Sequence, residues 1–319
     1  MLDKLNRFLQ KFMPIITPLS VALGVIFAGW LHTLEYLVPW IFAFMTFSGS
    51  LGSNFKDLRK VVLHPLPLFL CLLLLHVFMP LVSLGVGNIV FQDEPYLITG
   101  LILAFLIPTG ITSLIWVSIY KGNVVLTLSI ILIDTLLSPL VVPGVLQLFI
   151  GAEIQMNSFD IMIGLLWMVV IPSLLGMLLN QISKGEVKER LGTKLAPFSK
   201  IGLGAVVAIN SSAIAPYFTN VNKTLFIVII VVFLMASIGY LFGWICAKLL
   251  KEDADTIISL TFNGGMRNIS VGAVIAITYF PDLVALPVVV GMLFQQILAS
   301  ISGTVLGRMY RKEIGIKAV

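Results

Sequence analysis

Leu106-Ile107-Pro108-Thr109-Gly110-Ile111-Thr112-Ser113 interrupts one strongly apolar stretch, and Phe262-Asn263-Gly264-Gly265-Met266-Arg267-Asn268 interrupts another. Pro108 has no backbone N–H to continue a helix, and a Gly-Gly pair loosens the backbone, so both stretches read as helices broken in mid-span. Gly110 and Gly265 stand 155 positions apart in a chain of 319, close to half its length. Polar residues follow each break: Thr112, Ser113 and Ser118 after the first, Arg267, Asn268 and Ser270 after the second. A helix broken inside lipid leaves carbonyls and amides that only protein, ions or water can satisfy. Two such breaks at matching places in the two halves point to an inverted-repeat transporter with a midplane site.

The rest of the chain fits that setting. It is 59% hydrophobic and 11% charged, with a mean hydropathy of +1.07. A soluble domain carries about 25% charged residues, so this chain lacks the charge to cover a globule of its size. That excludes an ordinary cytosolic enzyme and a disordered protein. Ten apolar segments are read, at 13–32, 36–53, 65–88, 96–120, 123–150, 158–181, 199–219, 223–250, 255–280 and 282–308. Each is near the ~20 residues that span a bilayer. The predicted fold is an all-α polytopic membrane protein of ten transmembrane helices. Residues 1–157 and 158–319 form a five-plus-five inverted repeat, and segments four and nine are the broken ones.

The charges test this layout. With the N-terminus cytoplasmic, Lys4, Arg7, Lys11, Lys56, Arg59, Lys60 and Lys121 lie inside. So do Lys184, Lys188, Arg190, Lys194 and Lys200 on a long loop, and Lys248, Lys251, Arg308, Arg311, Lys312 and Lys317. That is 18 of the 20 cations, while the outer loops hold Asp93, Glu94, Glu153, Asp160 and Asp282, with Lys223. The positive-inside rule then puts both termini in the cytoplasm, and an odd number of spans breaks the pattern. The net charge of +5 speaks to lipid and topology, not to nucleic acid. The basic start runs into an apolar stretch with no A-x-A-like site before Trp30, which predicts a retained first span.

Asp134 and Arg267 are the two charges well inside the predicted spans. Each alone costs about 2.5–3.5 kcal/mol on insertion scales, and a mutual ion pair is the simplest compensation. Thr127, Ile131, Asp134 and Ser138 share one helical face. His76 reads as a packing histidine rather than a proton relay, and Gln295, Gln296 and Ser300 make segment ten partly polar. Cys71 and Cys246 form no CxxC and no Cys/His cluster, and read as packing residues. No P-loop, HExxH, GxSxG or catalytic carboxylate pair occurs, so no enzyme, cofactor or metal centre is expected.

Read together, Phe47-Ser48-Gly49-Ser50-Leu51 before His64-Pro65, Pro108 to Ser113, Lys121-Gly122-Asn123-Val124, Ser138-Pro139 and Gly265-Met266-Arg267-Asn268 carry a family resemblance. Their order and spacing make the chain similar, over its whole length, to the bile acid:sodium symporter family. The resemblance implies a panel domain from 13–53 and 158–219 and a core domain from 65–150 and 223–308, with the broken helices crossing in the core. It implies an organic-anion substrate, from bile acids to small carboxylates such as pantoate and pyruvate, moved with two sodium ions. Substrate contacts would come from Thr109, Gly110, Ile111, Thr112, Ser113, Arg267, Asn268 and Ser300. Family sodium positions fall on Ser113, Leu114, Thr127, Ile131, Asn263, Gly264, Met266 and Arg267.

Here the sequence departs from the family. The Ser-Asn pair after the first break is Ser113-Leu114, one of two hydroxyls is Ile131, the acidic residue is Asn263, and the glutamine is Arg267. A guanidinium repels sodium and can stand in for its charge. The expectation is an alternating-access transporter in which Arg267, balanced by Asp134, replaces bound sodium and draws in the anion. Coupling is then absent, by exchange, or to protons through Asp134 or His76. The alternative is a sodium symporter with relocated ligands such as Asp134, Thr127 and Ser113; a channel is disfavoured by the paired breaks. The expected partners are the organic anion and the bilayer, with monomer and homo-oligomer both open.

Overall fold

A computed structural model describes residues 2–53, 65–151, 154–219 and 222–310. Lys56, Arg59, Lys60, His64, Glu153, Arg311, Lys312 and Lys317 lie outside the described residues. Within them the chain is helix and turn, with no strand beyond one isolated backbone bridge. In chain order the main helices are α1 (Leu2–Ile26), α2 (Val38–Ser50), α3 (Pro65–Val90) and α4 (Pro95–Leu106). They continue with α5 (Ser113–Ile119), α6 (Val124–Ile150), α7 (Ser158–Ile182) and α8 (Thr193–Ala213). Last come α9 (Lys223–Leu249), α10 (Ala254–Gly265), α11 (Ile269–Tyr279) and α12 (Asp282–Met309). Five of these, α3, α6, α7, α9 and α12, are long and apolar enough to cross a bilayer unaided. The molecule is a multi-pass membrane protein.

Local chemistry sets the helix ends. Asn123 and Asn222 cap α6 and α9, their side-chain oxygens accepting from Leu126 N and Leu225 N. Pro80 in α3 and Pro172 in α7 cannot donate to the preceding turn, and each follows a π-helical turn, Leu74–Phe78 and Leu166–Val170. Two boundaries differ from the sequence reading. The first helix starts at Leu2, because 2–12 holds no breaker and spaces Leu5, Phe8 and Phe12 helically. The stretch 182–198, read as a loop, is mostly helical: Lys184 and Gly185 turn the chain at φ +52 and +95, and Lys188–Gly192 runs on into α8.

Packing falls into two groups. α1 lies along α8, and α2 packs on α7 and α8. In the second group, α9 lies along α10 and α12, α12 reaches α4 and α11, and α4, α5 and α10 pack on α6, while α7 on α6 and α8 on α11 join the two groups. The α9–α10 seam is close because Gly243 has no side chain; a Cβ there would sit 2.5 Å from the Leu260 carbonyl oxygen. Side chains such as Trp40, Trp167, Leu140 and Leu148 point outward and are exposed, an apolar rim suited to lipid rather than water.

Candidate functional site

α4 stops at Leu106 and α5 starts at Ser113; α10 stops at Gly265 and α11 starts at Ile269. The two gaps meet. Thr109 and Arg267 form an antiparallel bridge, and Asn268 N donates to Pro108 O at 2.7 Å. Freed backbone of one break is thus satisfied by the other, as a buried break requires. The approach is so close that a Cβ on Gly110 would lie 2.8 Å from the Arg267 carbonyl oxygen.

Thr109 ties the junction together. Its hydroxyl donates to Met266 O (2.9 Å) and lies 3.2 Å from Asn263 O. Its N–H donates to Asp134 Oδ2 at 2.6 Å. The other Asp134 oxygen is 2.5 Å from His76 Nε2, and Asp134 is fully buried. A carboxylate only accepts, so the shared proton belongs to Nε2 when the imidazole is neutral.

Arg267 is 2% exposed. Its Nε donates to Phe105 O at 3.1 Å, and Nη1 to Gly264 O at 2.9 Å and Asn263 O at 3.3 Å, with Met266 O at 3.5 Å. These are carbonyls at the C-terminal ends of α4 and α10, the orphan acceptors of two helices. A helix C-terminus carries roughly half a negative charge, so two together approach one unit. This corrects the expected Asp134–Arg267 ion pair: among the described residues the two make no direct contact. Each has a nearer partner, His76 and Thr109 N for the acid, helix-end carbonyls for the base. Gln295 Nε2 holds the Arg267 carbonyl oxygen at 2.8 Å, and Arg267 Nη2 has no partner among the described residues.

Beside the junction, Asn263 bridges α5 and α6. Its Nδ2 donates to Thr127 Oγ1 (3.0 Å) and to Ser259 O (2.8 Å), and Ser113 Oγ donates to its Oδ1 (3.0 Å). Leu114, next to Ser113 in sequence, has no side-chain oxygen, and Ile131 lines the cavity described below. The two hydroxyls and the amide hydrogen-bond one another here, and a guanidinium covers the carbonyls.

A cavity of about 300 Å³ opens on the junction. Thr109, Gly110, Ile111, Thr112, Arg267 and Asn268 line one wall. The facing wall comes from α1, α2, α7 and α8, with Thr17, Ser48, Ser173 and Lys200 among the polar residues. Lys200 Nζ is 2.6 Å from Asn6 Oδ1 and 3.2 Å from Gln10 Oε1. Ser113 sits behind the wall, on Asn263. Ser300 is not brought in: it is exposed, one turn past Gln296, where Trp116 Nε1 donates to Gln296 Oε1 at 3.1 Å and closes that end. The sequence reading underrated His76. Its one available signal was a histidine in an apolar span of a chain with a single acid buried elsewhere in the spans.

Comparison with known proteins fits this architecture. The model of the Sodium Bile acid symporter family matches residues 39–220. The Bacillus subtilis uncharacterized protein YbaS is 54% identical over 306 residues, 96% of this chain and 100% of YbaS. The uncharacterized sodium-dependent transporter YocS of the same bacterium is 27% identical over 316 residues, 95% of this chain and 96% of YocS. The probable chloroplastic sodium/metabolite cotransporter BASS1 of Arabidopsis thaliana is 26% identical, over 97% of this chain and 77% of that protein. The family and these named transporters are carriers, not enzymes. The chain belongs to the sodium bile acid symporter family.

Proposed function

We propose that this protein carries a small organic anion across the cell membrane by alternating access, without bound sodium. The observation that carries the proposal is the guanidinium of Arg267, which lies on the carbonyls of Asn263, Gly264 and Met266, at family sodium positions. A fixed cation there does the electrostatic work of a bound one and excludes it. The mutual hydrogen bonds of Ser113, Thr127 and Asn263 support the same reading for the other ion position. In this reading 13–53 and 158–219 form a panel and 65–150 and 223–308 a core, and the cavity is the substrate path. In this reading the broken pairs α4/α5 and α10/α11 each count as one span of a ten-span, five-plus-five inverted repeat, with both termini cytoplasmic. About 300 Å³ is at the small end of ligand pockets and suits a short carboxylate better than a steroid. Thr109, Thr112 and Asn268 would hold the anion, with Arg267 providing the field.

A second reading has one observation in its favour: YocS and BASS1 carry sodium in their names. It needs relocated ligands at Asp134, Thr127 and Ser113. Against it, both Asp134 oxygens and both hydroxyls already have partners.

The test is thermal stabilisation of the purified protein in choline chloride and in sodium chloride, over pyruvate, pantoate, succinate and taurocholate. Stabilisation by a small carboxylate equally in both salts is the expected result. Stabilisation by sodium alone refutes the proposal and supports relocated ligands.

A further inference from the structure

We propose that the His76–Asp134 pair is a proton-binding site coupled to the anion, one proton for each monoanion carried. This rests on the organic-anion reading above. The geometry is a buried acid–imidazole pair with one unused acceptor. Nε2 of His76 is engaged with Asp134, and Nδ1 is buried with no partner among the described residues. The added proton bonds to the Nδ1 lone pair and gives an imidazolium, while the Nε2–H stays on Asp134. Nothing is oxidised or reduced, and the proton leaves by the same atom.

Charge balance gives the coupling. With the cavity empty, Arg267 is +1, Asp134 is −1 and His76 is neutral. The helix ends at the two breaks bring partial charges of both signs that cancel as a set. A monoanion entering this buried junction leaves it at −1, which is costly in the membrane interior. A proton on His76 restores neutrality. Loaded and empty carriers are then both neutral, and neither half-loaded form is. The mechanical link is short. Asp134 holds Thr109 N, and Thr109 both lines the cavity and bridges to Arg267.

Among the described residues, few ionisable groups lie on the elements packed around the pair. α3 itself adds Cys71, and α6 adds nothing beyond Asp134. α4 carries Tyr96 at its far end, and α10 carries Asp255 in its first turn. α9 brings Tyr240 and Cys246, with Lys223 and Lys248 at its two ends. Arg267 is the charged neighbour across the break.

The chain has three histidines, so His32→Asn with His64→Asn leaves His76 as the single imidazole. ¹⁵N-histidine spectra of that full-length protein, from about pH 5 to pH 9, report Nδ1 directly; an imidazole ordinarily changes charge near the middle of that range. The expected result is a shift of Nδ1 from the free-base to the imidazolium position. In Arg267→Gln, where the opposing positive charge is gone, the change sets in about one pH unit higher, a tenfold gain in proton affinity. An Nδ1 signal that stays fixed across the range overturns the proposal, as does a titration that Arg267→Gln leaves in place. In proteoliposomes with acid outside and no sodium, the monoanions pyruvate or pantoate accumulate through the unmodified protein. His76→Gln, which can still donate to Asp134, cannot neutralise the loaded carrier, so it loses the pH-driven accumulation and slows exchange as well. Accumulation that His76→Gln leaves intact overturns the proposal. If neither monoanion moves while His76 titrates and responds to Arg267→Gln, the proton site stands and the cargo reading falls.

Discussion

Asp134 offers the sharpest test of how the junction is held. It is fully buried, and its two oxygens take one donor each, His76 Nε2 at 2.5 Å and Thr109 N at 2.6 Å. Asp134→Ala removes both acceptors and leaves two buried donors facing hydrocarbon. Each orphaned donor costs about 1–3 kcal/mol, toward the upper end where water is excluded, so the loss is about 4–6 kcal/mol. Asp134→Asn keeps an oxygen for Thr109 N and turns its amide to His76, whose other tautomer accepts. Charged hydrogen bonds become neutral ones, at about 1 kcal/mol each, or about 2 kcal/mol in all. At about 2–4 °C per kcal/mol, the melting point falls by about 10–20 °C for Ala and about 5 °C for Asn. Tryptophan-fluorescence melting of the purified variants reads this. His76→Leu added to Asp134→Ala removes one orphan and recovers part of the loss. Equal losses for Asn and Ala would refute the reasoning, because they would mean that Asp134 acts through its charge alone, as an ion pair with Arg267 would require.

Three further outcomes follow from the packing and the charges. Gly243→Ala drives a Cβ into the Leu260 carbonyl and separates α9 from α10, costing about 1–3 kcal/mol, whereas Gly144→Ala meets nothing within 4 Å and leaves the melting point within about 2 °C. Asn263→Glu with Arg267→Gln gives back an acid and removes the resident cation, so sodium should raise the melting point of the double variant and not that of Asn263→Glu alone. Under the positive-inside reading, cysteine placed at Lys223 in a Cys71→Ala/Cys246→Ala background is labelled by an impermeant maleimide from outside intact cells, while cysteine at Lys188 is not; the opposite labelling would invert the topology.

The breaks were legible because their causes are local. Pro108 removes a donor and Gly264-Gly265 loosens a turn, and both act within a few residues of themselves. The lining residues from Thr109 to Thr112, and Arg267 with Asn268, were legible for the same reason: they are the polar residues beside the breaks. The partners of Asp134 and Arg267 were not. Counting formal charges leaves these two as the only opposites in the spans, so a pair seems required. The count omits the carbonyls of Phe105, Asn263 and Gly264, whose partial charge exists only because α4 and α10 end there. It also omits His76, which lies 58 positions from Asp134 and reaches it only after α3 packs on α6. Ser300 failed for a different reason: helical spacing gives its face but not where along α12 the cavity stops.

A resident cation changes what such a carrier can be coupled to. A bound sodium ion enters on one side and leaves on the other, so its gradient does work in every cycle. Arg267 is covalently fixed and held by carbonyls of two helix ends, and it completes the cycle where it began. On the proposed reading its charge lowers the cost of bringing an anion to the crossing but adds no driving force, since it favours binding equally from either side. The anion then runs down its own gradient, or exchanges, unless another charge travels with it. On the proposed reading the travelling charge is the proton on His76, which is bound to the acid that holds Thr109. Replacing the ion by a side chain therefore moves the coupling from the sodium positions on α5, α6 and α10 to the α3–α6 pair beneath the first break. Sodium dependence should then return only in variants that lack Arg267, and proton dependence should be lost in variants that lack His76.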